Sequence, residues 1–151
     1  MLLHGSACAR ESAAGTPAGV LLLGPPGCGK SDFCLRLLGL GFTLIADDQV
    51  ELAEDDGQLQ APAALAGMIE VRGLGIVTGQ PHRTAPLALV VDCVPRETVP
   101  RLPAPAVWRC GDLSAPRIAL HATDASAPGK LMMALDVLCG RRGMAAGAFA
   151  A

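Results

Sequence analysis

One eight-residue segment limits this chain more than any other. Gly24-Pro-Pro-Gly-Cys-Gly-Lys-Ser31 satisfies the pattern G-x-x-x-x-G-K-[ST] in full. Its glycines let the backbone curl so that successive N–H groups point inward and make a nest for anions. A helix beginning near Lys30 adds unpaired donors and partial positive charge at its N-terminal end. Lys30 supplies a point charge for the β- and γ-phosphates, and the Ser31 hydroxyl supplies an oxygen ligand for Mg²⁺. A chain of this length meets the pattern by chance on the order of 1% of the time. Here the match lies between Val20-Leu-Leu-Leu23, which reads as a buried strand, and Ser31 to Leu38, which has helical spacing. Within that helix Asp32 and Arg36 stand four apart on one face, and Gly39 and Gly41 end it. The whole segment (Gly24, Pro25, Pro26, Gly27, Cys28, Gly29, Lys30, Ser31) therefore reads as a P-loop for ATP. ATPases, GTPases and small-molecule kinases share this loop, so it leaves the reaction open.

The remaining pattern predicts a domain of α/β class with a mixed, largely β core and few helices. Thr43 to Ala46 reads as a strand closed by Asp47-Asp48, so residues 20–48 form a βαβ-like beginning. Val50 to Ala53 and Gln58 to Ala61 flank a turn and predict a hairpin. Met68 to Val77 reads as a loop leading into a strand, and Leu87 to Val94 as a buried strand. Four prolines mark 95–105 as an irregular connection, followed by short strands at Val107–Cys110 and Arg117–Leu120. Lys130 to Leu138 reads as a helix opening near Ser126-Ala-Pro128. Residues 1–142 are expected to form one catalytic domain. The Ala/Gly-rich stretch 143–151 is expected to fray as a disordered tail.

Composition narrows the partners. Of 151 residues 51% are hydrophobic and 17% charged, which suits one packed domain rather than a disordered chain. A formal net charge of -2 offers no electrostatic reason for a nucleic-acid or membrane-surface partner. None of the six cysteines has CxxC spacing, and they read as reduced thiols rather than zinc ligands. The Ala-x-Ala-like fragment at Ala7–Ala9 follows too short an apolar run for a signal peptide. The longest apolar stretches fall far short of the ~20 residues of a membrane span. A soluble cytoplasmic protein is the expectation.

Asp47-Asp48 ends the strand that follows the P-loop helix, and ligands of open α/β sheets gather at the carboxyl ends of strands. Two adjacent carboxylates there can bind Mg²⁺ and accept a hydroxyl proton, although a simple acidic cap on a strand would look the same.

Three separated pieces resemble one family, the HPr kinase/phosphorylases. They are His4-Gly5, the P-loop with the downstream Leu44-Ile-Ala-Asp-Asp48, and Ile69-Glu-Val-Arg-Gly-Leu-Gly-Ile76, which looks like the family's signature stretch. The resemblance is to the kinase half of the long family members, without their N-terminal domain, as in short forms of the alphaproteobacterial type. It implies an ATP- and Mg²⁺-dependent protein serine kinase that acts on HPr or an HPr-like phosphocarrier, with a reverse phosphorolysis in which phosphate attacks the phosphoserine. By position it implies that Lys30 neutralises charge and that Ser31 binds Mg²⁺. One Asp would be the seryl base; Asp47 is the choice made here, with Asp48 as neighbour or metal partner. Glu70 would be a second Mg²⁺ ligand, Arg72 a residue serving both directions, and His4 a histidine near the active site. Arg101 is the match for a later catalytic arginine, with Arg96 as its competitor.

Two departures stand out. The family's Pro-Val-x-x-Gly-x-Asn-type segment, linked to dephosphorylation, is represented only by Leu120 to Lys130. The tail after Gly140 is short for the C-terminal helix of the family's hexamer, so a homo-oligomer stays open. A small-molecule kinase and a non-catalytic nucleotide-sensing module are the competing readings.

Overall fold

A computed structural model of the chain describes residues 1–11 and 15–150. In chain order its elements are β1 (Leu2–His4), β2 (Ser6–Arg10), β3 (Ala18–Leu23), α1 (Lys30–Leu38), β4 (Thr43–Ala46), β5 (Gln49–Leu52), β6 (Gln58–Gln60), β7 (Ile69–Val71), β8 (Gly75–Val77), β9 (Ala85–Cys93), β10 (Val107–Cys110), β11 (Leu113–Leu120) and α2 (Ala127–Leu138). Short 3₁₀ turns lie at Ala63–Leu65 and Arg96–Thr98. The largely β core with few helices, predicted from the sequence, is what the chain builds.

Nine of the described strands form one mixed sheet in the order β1-β5-β6-β9-β3-β2-β4, with β11 also on β9 and β10 on β11. Strand β9 can serve three neighbours because it is nine residues long. One edge runs parallel to β3. The other takes β6 antiparallel at Ala85–Pro86 and β11 parallel at Val90–Cys93. Alternation along the strands sends side chains to two buried faces. Val20, Leu22, Leu89, Val91 and Cys8 meet Phe33, Cys34 and Leu37 of α1 and Leu131 and Leu135 of α2. Leu21, Val90, Ala7 and Ala9 meet Ile45, Val50, Leu52 and Leu59 on the other face. Burial on both faces explains why Val20 to Leu23 and Leu87 to Val94 read as unbroken apolar runs rather than alternating ones.

Several expectations change. The strands flanking the P-loop helix, β3 and β4, run in the same direction but do not pair. Strand β2 lies between them, antiparallel to each. The N-terminal segment after His4-Gly5, for which no strand was predicted, therefore supplies the strand that completes the centre of the sheet. Small side chains let it fit there, since Ala7, Cys8 and Ala9 are buried between larger neighbours. At the β1–β2 bend, a Cβ on Gly5 would come within 2.5 Å of the Leu22 carbonyl oxygen, which gives His4-Gly5 a packing reason. Residues 69–77 are a two-stranded antiparallel ribbon rather than a loop before a strand. The final stretch is not splayed into solvent: Ala148 is buried and Phe149 packs on the helix-side core. Among the described residues, no helix is long and apolar enough to cross a membrane.

Phe33 is the largest fully buried side chain and joins α1 to the sheet. Phe33→Ala is expected to lower the unfolding free energy by about 3–5 kcal/mol, measured by urea denaturation.

Candidate functional site

The P-loop runs from the end of β3 into α1, as the pattern requires. Gly24 holds φ at 155°, and a Cβ there would meet the Cys28 sulfur at 2.7 Å and the Cys93 carbonyl oxygen at 2.9 Å. Any larger residue would push the loop off the strand end. The Phe33 N–H donates to the Gly29 carbonyl at 2.9 Å, which starts the helix at the loop's last glycine. Lys30 folds back over its own loop, its ammonium donating to the carbonyls of Gly24 (2.6 Å) and Pro25 (3.1 Å). These bonds hold the charged head at the loop mouth.

The acidic pair divides into two environments. Asp47 is 6% exposed and accepts three hydrogen bonds. Its Oδ1 accepts the hydroxyls of Ser31 and of Ser6, each at 2.7 Å, and its Oδ2 accepts the Glu70 backbone N–H at 2.9 Å. One carboxylate thus joins α1, β2 and β7. Asp48 is exposed and takes a left-handed backbone with φ 70°, a conformation costly for a residue with a side chain. It is held there because the Asp48 carbonyl accepts the Gly5 N–H at 3.0 Å and the Asp47 carbonyl accepts the Gln49 N–H at 2.8 Å. The turn buries one carboxylate and offers the next to solvent.

A cleft of about 400 Å³ opens over these groups, lined among others by Gly27, Lys30, Ser31, Asp48, Glu70 and Arg72. Lys30 and Arg72 are its cations; Asp48 and Glu70 are carboxylates open to it, and Asp32, paired with Arg36, lies at its edge. Such hard oxygen donors suit Mg²⁺, which takes one or two carboxylates together with phosphate oxygens and water. Accordingly, a site of this kind does not require three protein carboxylates or imidazoles, and no such cluster occurs among the described residues.

Thr123 also lines the cleft, from the connection between β11 and α2. That connection is braced by Arg36, whose guanidinium donates to the carbonyls of Ala122 and Asp124 and pairs with Asp32 at 3.0 Å. The Asp32–Arg36 spacing seen in the sequence is thus a real pair, and it also orients Arg36 toward a loop 86–88 residues away.

Other predicted residues lie elsewhere. His4 is exposed on β1, opposite Gln49, and does not line the cleft. Arg101 lines a separate hollow with Arg96, Met133 and Phe149, so the structure brings neither arginine to the phosphate loop. Arg96 is instead held by Asp124, with Nε 2.8 Å from Oδ1. The proline-rich stretch carrying Arg101 gave no periodicity from which its position could be read. Ser6 was missed by the sequence reading; in an apolar strand it looks like a small filler. Its burial demands a partner, and that partner is Asp47.

The Cys93 thiol lies buried beside the P-loop. Burial, and then the neighbouring Cys28, push the Cys93 thiol up to about 12, against the pull of the Lys30 ammonium. Since the thiolate is the nucleophile, Cys93 is expected to stay unmodified by iodoacetamide at pH 8 in the native protein while exposed Cys139 reacts, as read by peptide mass spectrometry.

Residues 15–80 match the family model of the HPr Serine kinase C-terminal domain, a span holding the P-loop, the acidic pair and the ribbon. The chain is 46% identical over 61 residues to the HPr kinase/phosphorylase of Clostridium beijerinckii, covering 39% of this chain and 20% of that protein. It is 40% identical over 83 residues to that of Levilactobacillus brevis, covering 50% of this chain and 27% of that protein. The chain thus spans well under a third of the length of these curated relatives. The fold is similar to the Hpr(Ser) kinase/phosphatase from Coxiella burnetii, with TM-score 0.73 and 21% identity over 89% of this chain and 93% of that one. Over residues 15–80 the chain is thus similar to the HPr Serine kinase C-terminal domain, and its overall fold is similar to that of the Hpr(Ser) kinase/phosphatase.

Proposed function

We propose that this chain is an ATP- and Mg²⁺-dependent protein serine kinase whose acceptor is HPr or an HPr-like phosphocarrier. The observation that carries the reading is the split acidic pair beneath the P-loop: Asp47 is buried under three donors, while Asp48 faces the cleft. A base must have a free lone pair within reach of the proton it takes. Asp47 is buried and engaged with Ser6, Ser31 and the Glu70 N–H, whereas Asp48 is exposed and lines the cleft, so the role assigned from the sequence to Asp47 passes to Asp48. Asp47 instead orients the Ser31 hydroxyl and anchors the ribbon. The names of the relatives, HPr kinase/phosphorylase, supply the acceptor class, and residues 1–142 are proposed as the catalytic unit.

In the forward direction Asp48 takes the seryl proton as the seryl oxygen bonds to the γ-phosphorus, and ADP leaves with the bridging oxygen. Lys30 and Arg72 hold the phosphate charge, and the P-loop N–H groups keep the chain of phosphates in line. Ser31 and Glu70, with Asp48 alongside, are the residues that would hold Mg²⁺, which neutralises phosphate charge when bound. Little covalent work falls to the protein, so positioning carries the rate. In reverse, the same carboxyl would return the proton to the seryl oxygen as inorganic phosphate attacks the phosphoserine. The cytoplasm, where ATP and the phosphocarrier meet, is the proposed compartment.

The test uses labelled ATP, Mg²⁺ and HPr from the same organism. Label on a serine of the carrier is expected, and label on a metabolite or on nothing would reject the reading. Asp48→Asn is expected to lower kcat by roughly 10²–10⁴-fold with nucleotide affinity little changed. Asp47→Asn should also disturb the ribbon, and so lower both activity and thermal stability. Lys30→Ala is expected to weaken nucleotide binding itself, measured by calorimetric titration.

A further inference from the structure

We infer that the β7–β8 ribbon is a docking lip for the phosphoacceptor protein, with Leu74 and Ile76 as its apolar contacts; this rests on the protein-kinase reading above. The ribbon has two faces. Ile69, Val71 and Val77 point inward to the core beside α1. Glu70 and Ile76 are directly paired across the strands and therefore share the opposite face. Glu70 lines the phosphate cleft, so Ile76 stands next to that cleft, 69% exposed. Leu74, at the turn between the strands, is 76% exposed and is held by its N–H donating to the Val71 carbonyl at 2.9 Å. Leu35 of α1, 38% exposed, lines the same cleft.

Single exposed apolar residues are ordinary on a protein surface. Two at the tip of one anchored ribbon, beside the groups that handle phosphate, form an anchor flanked by charge, the arrangement of a protein-binding hot spot. The ribbon's position selects the occupant. Through the Glu70 N–H it is tied to Asp47, the residue next to the base, so the patch adjoins the end of the cleft where an acceptor hydroxyl must arrive. An acceptor presenting its serine beside an apolar surface would seat that surface on Leu74 and Ile76 while its serine reaches the cleft.

The test is a calorimetric titration of HPr from the same organism into the chain with Mg²⁺ and a non-hydrolysable ATP analogue. Leu74→Ser with Ile76→Ser is expected to weaken acceptor binding about tenfold or more, with analogue affinity unchanged. Leu74→Met with Ile76→Met is expected to keep near wild-type affinity. Should the double serine variant lose its unfolding transition, Leu74→Ser alone carries the same comparison. Wild-type acceptor affinity in the serine variants would overturn the inference, as would no acceptor binding by the wild-type chain. A fall in analogue affinity would instead mean that the nucleotide base covers the patch, and a changed subunit number with unchanged acceptor affinity that a second copy does. Both would overturn it. Acceptor binding without transfer to serine would reject the kinase reading and leave the docking lip standing.

Discussion

Three hydrogen bonds converge on the carboxylate of Asp47, and the rest of the site hangs from them. They come from Ser31 at the start of the P-loop helix, Ser6 at the start of a central strand, and the backbone of Glu70 in the ribbon. A buried carboxylate is expensive unless its lone pairs are met, so each donor is held as firmly as the acid is buried. The consequence is mechanical. The P-loop hydroxyl, the strand and the ribbon are all tied to the same carboxylate.

Adjacent residues with the same side chain then do different things because the backbone turns between them. Asp47 ends a strand and points into the protein, while Asp48, at φ 70°, points out into the cleft. The left-handed conformation costs energy that the hydrogen bond between the Gly5 N–H and the Asp48 carbonyl helps to offset. Strain at this point is what presents a free carboxylate beside Lys30 and the loop. The same turn also explains the presence of His4-Gly5 upstream, whose glycine fits against the Leu22 carbonyl and places its own N–H on Asp48. Its histidine stays on the solvent side.

Much of the architecture was legible. The P-loop, its helix, strand β4 and the hairpin of β5 and β6 all carry local signals: glycine spacing, helical periodicity, a closing acidic pair, a turn between apolar runs. What could not be read was placement across the chain. Nothing in Ser6 to Arg10 marks it as the strand that separates β3 from β4, because small residues suit many positions. The ribbon at 69–77 was hidden by its brevity, since three-residue strands give alternation too little room to show. The position of Arg101 was hidden for a related reason: a proline-rich connection has no period, and only the fold puts that side chain on a separate hollow.

By itself, the sequence determined that this chain binds phosphates through Gly24 to Ser31 and that acidic groups follow at Asp47 and Asp48. Both facts rest on chemistry carried by neighbouring residues, and neighbouring residues are what a sequence displays. Which carboxylate is free, which serine holds the other, and which apolar side chains stand beside the cleft were decided only by tertiary structure. Burial and hydrogen-bond saturation come from residues dozens of positions apart, and the chain does not announce those meetings until it folds.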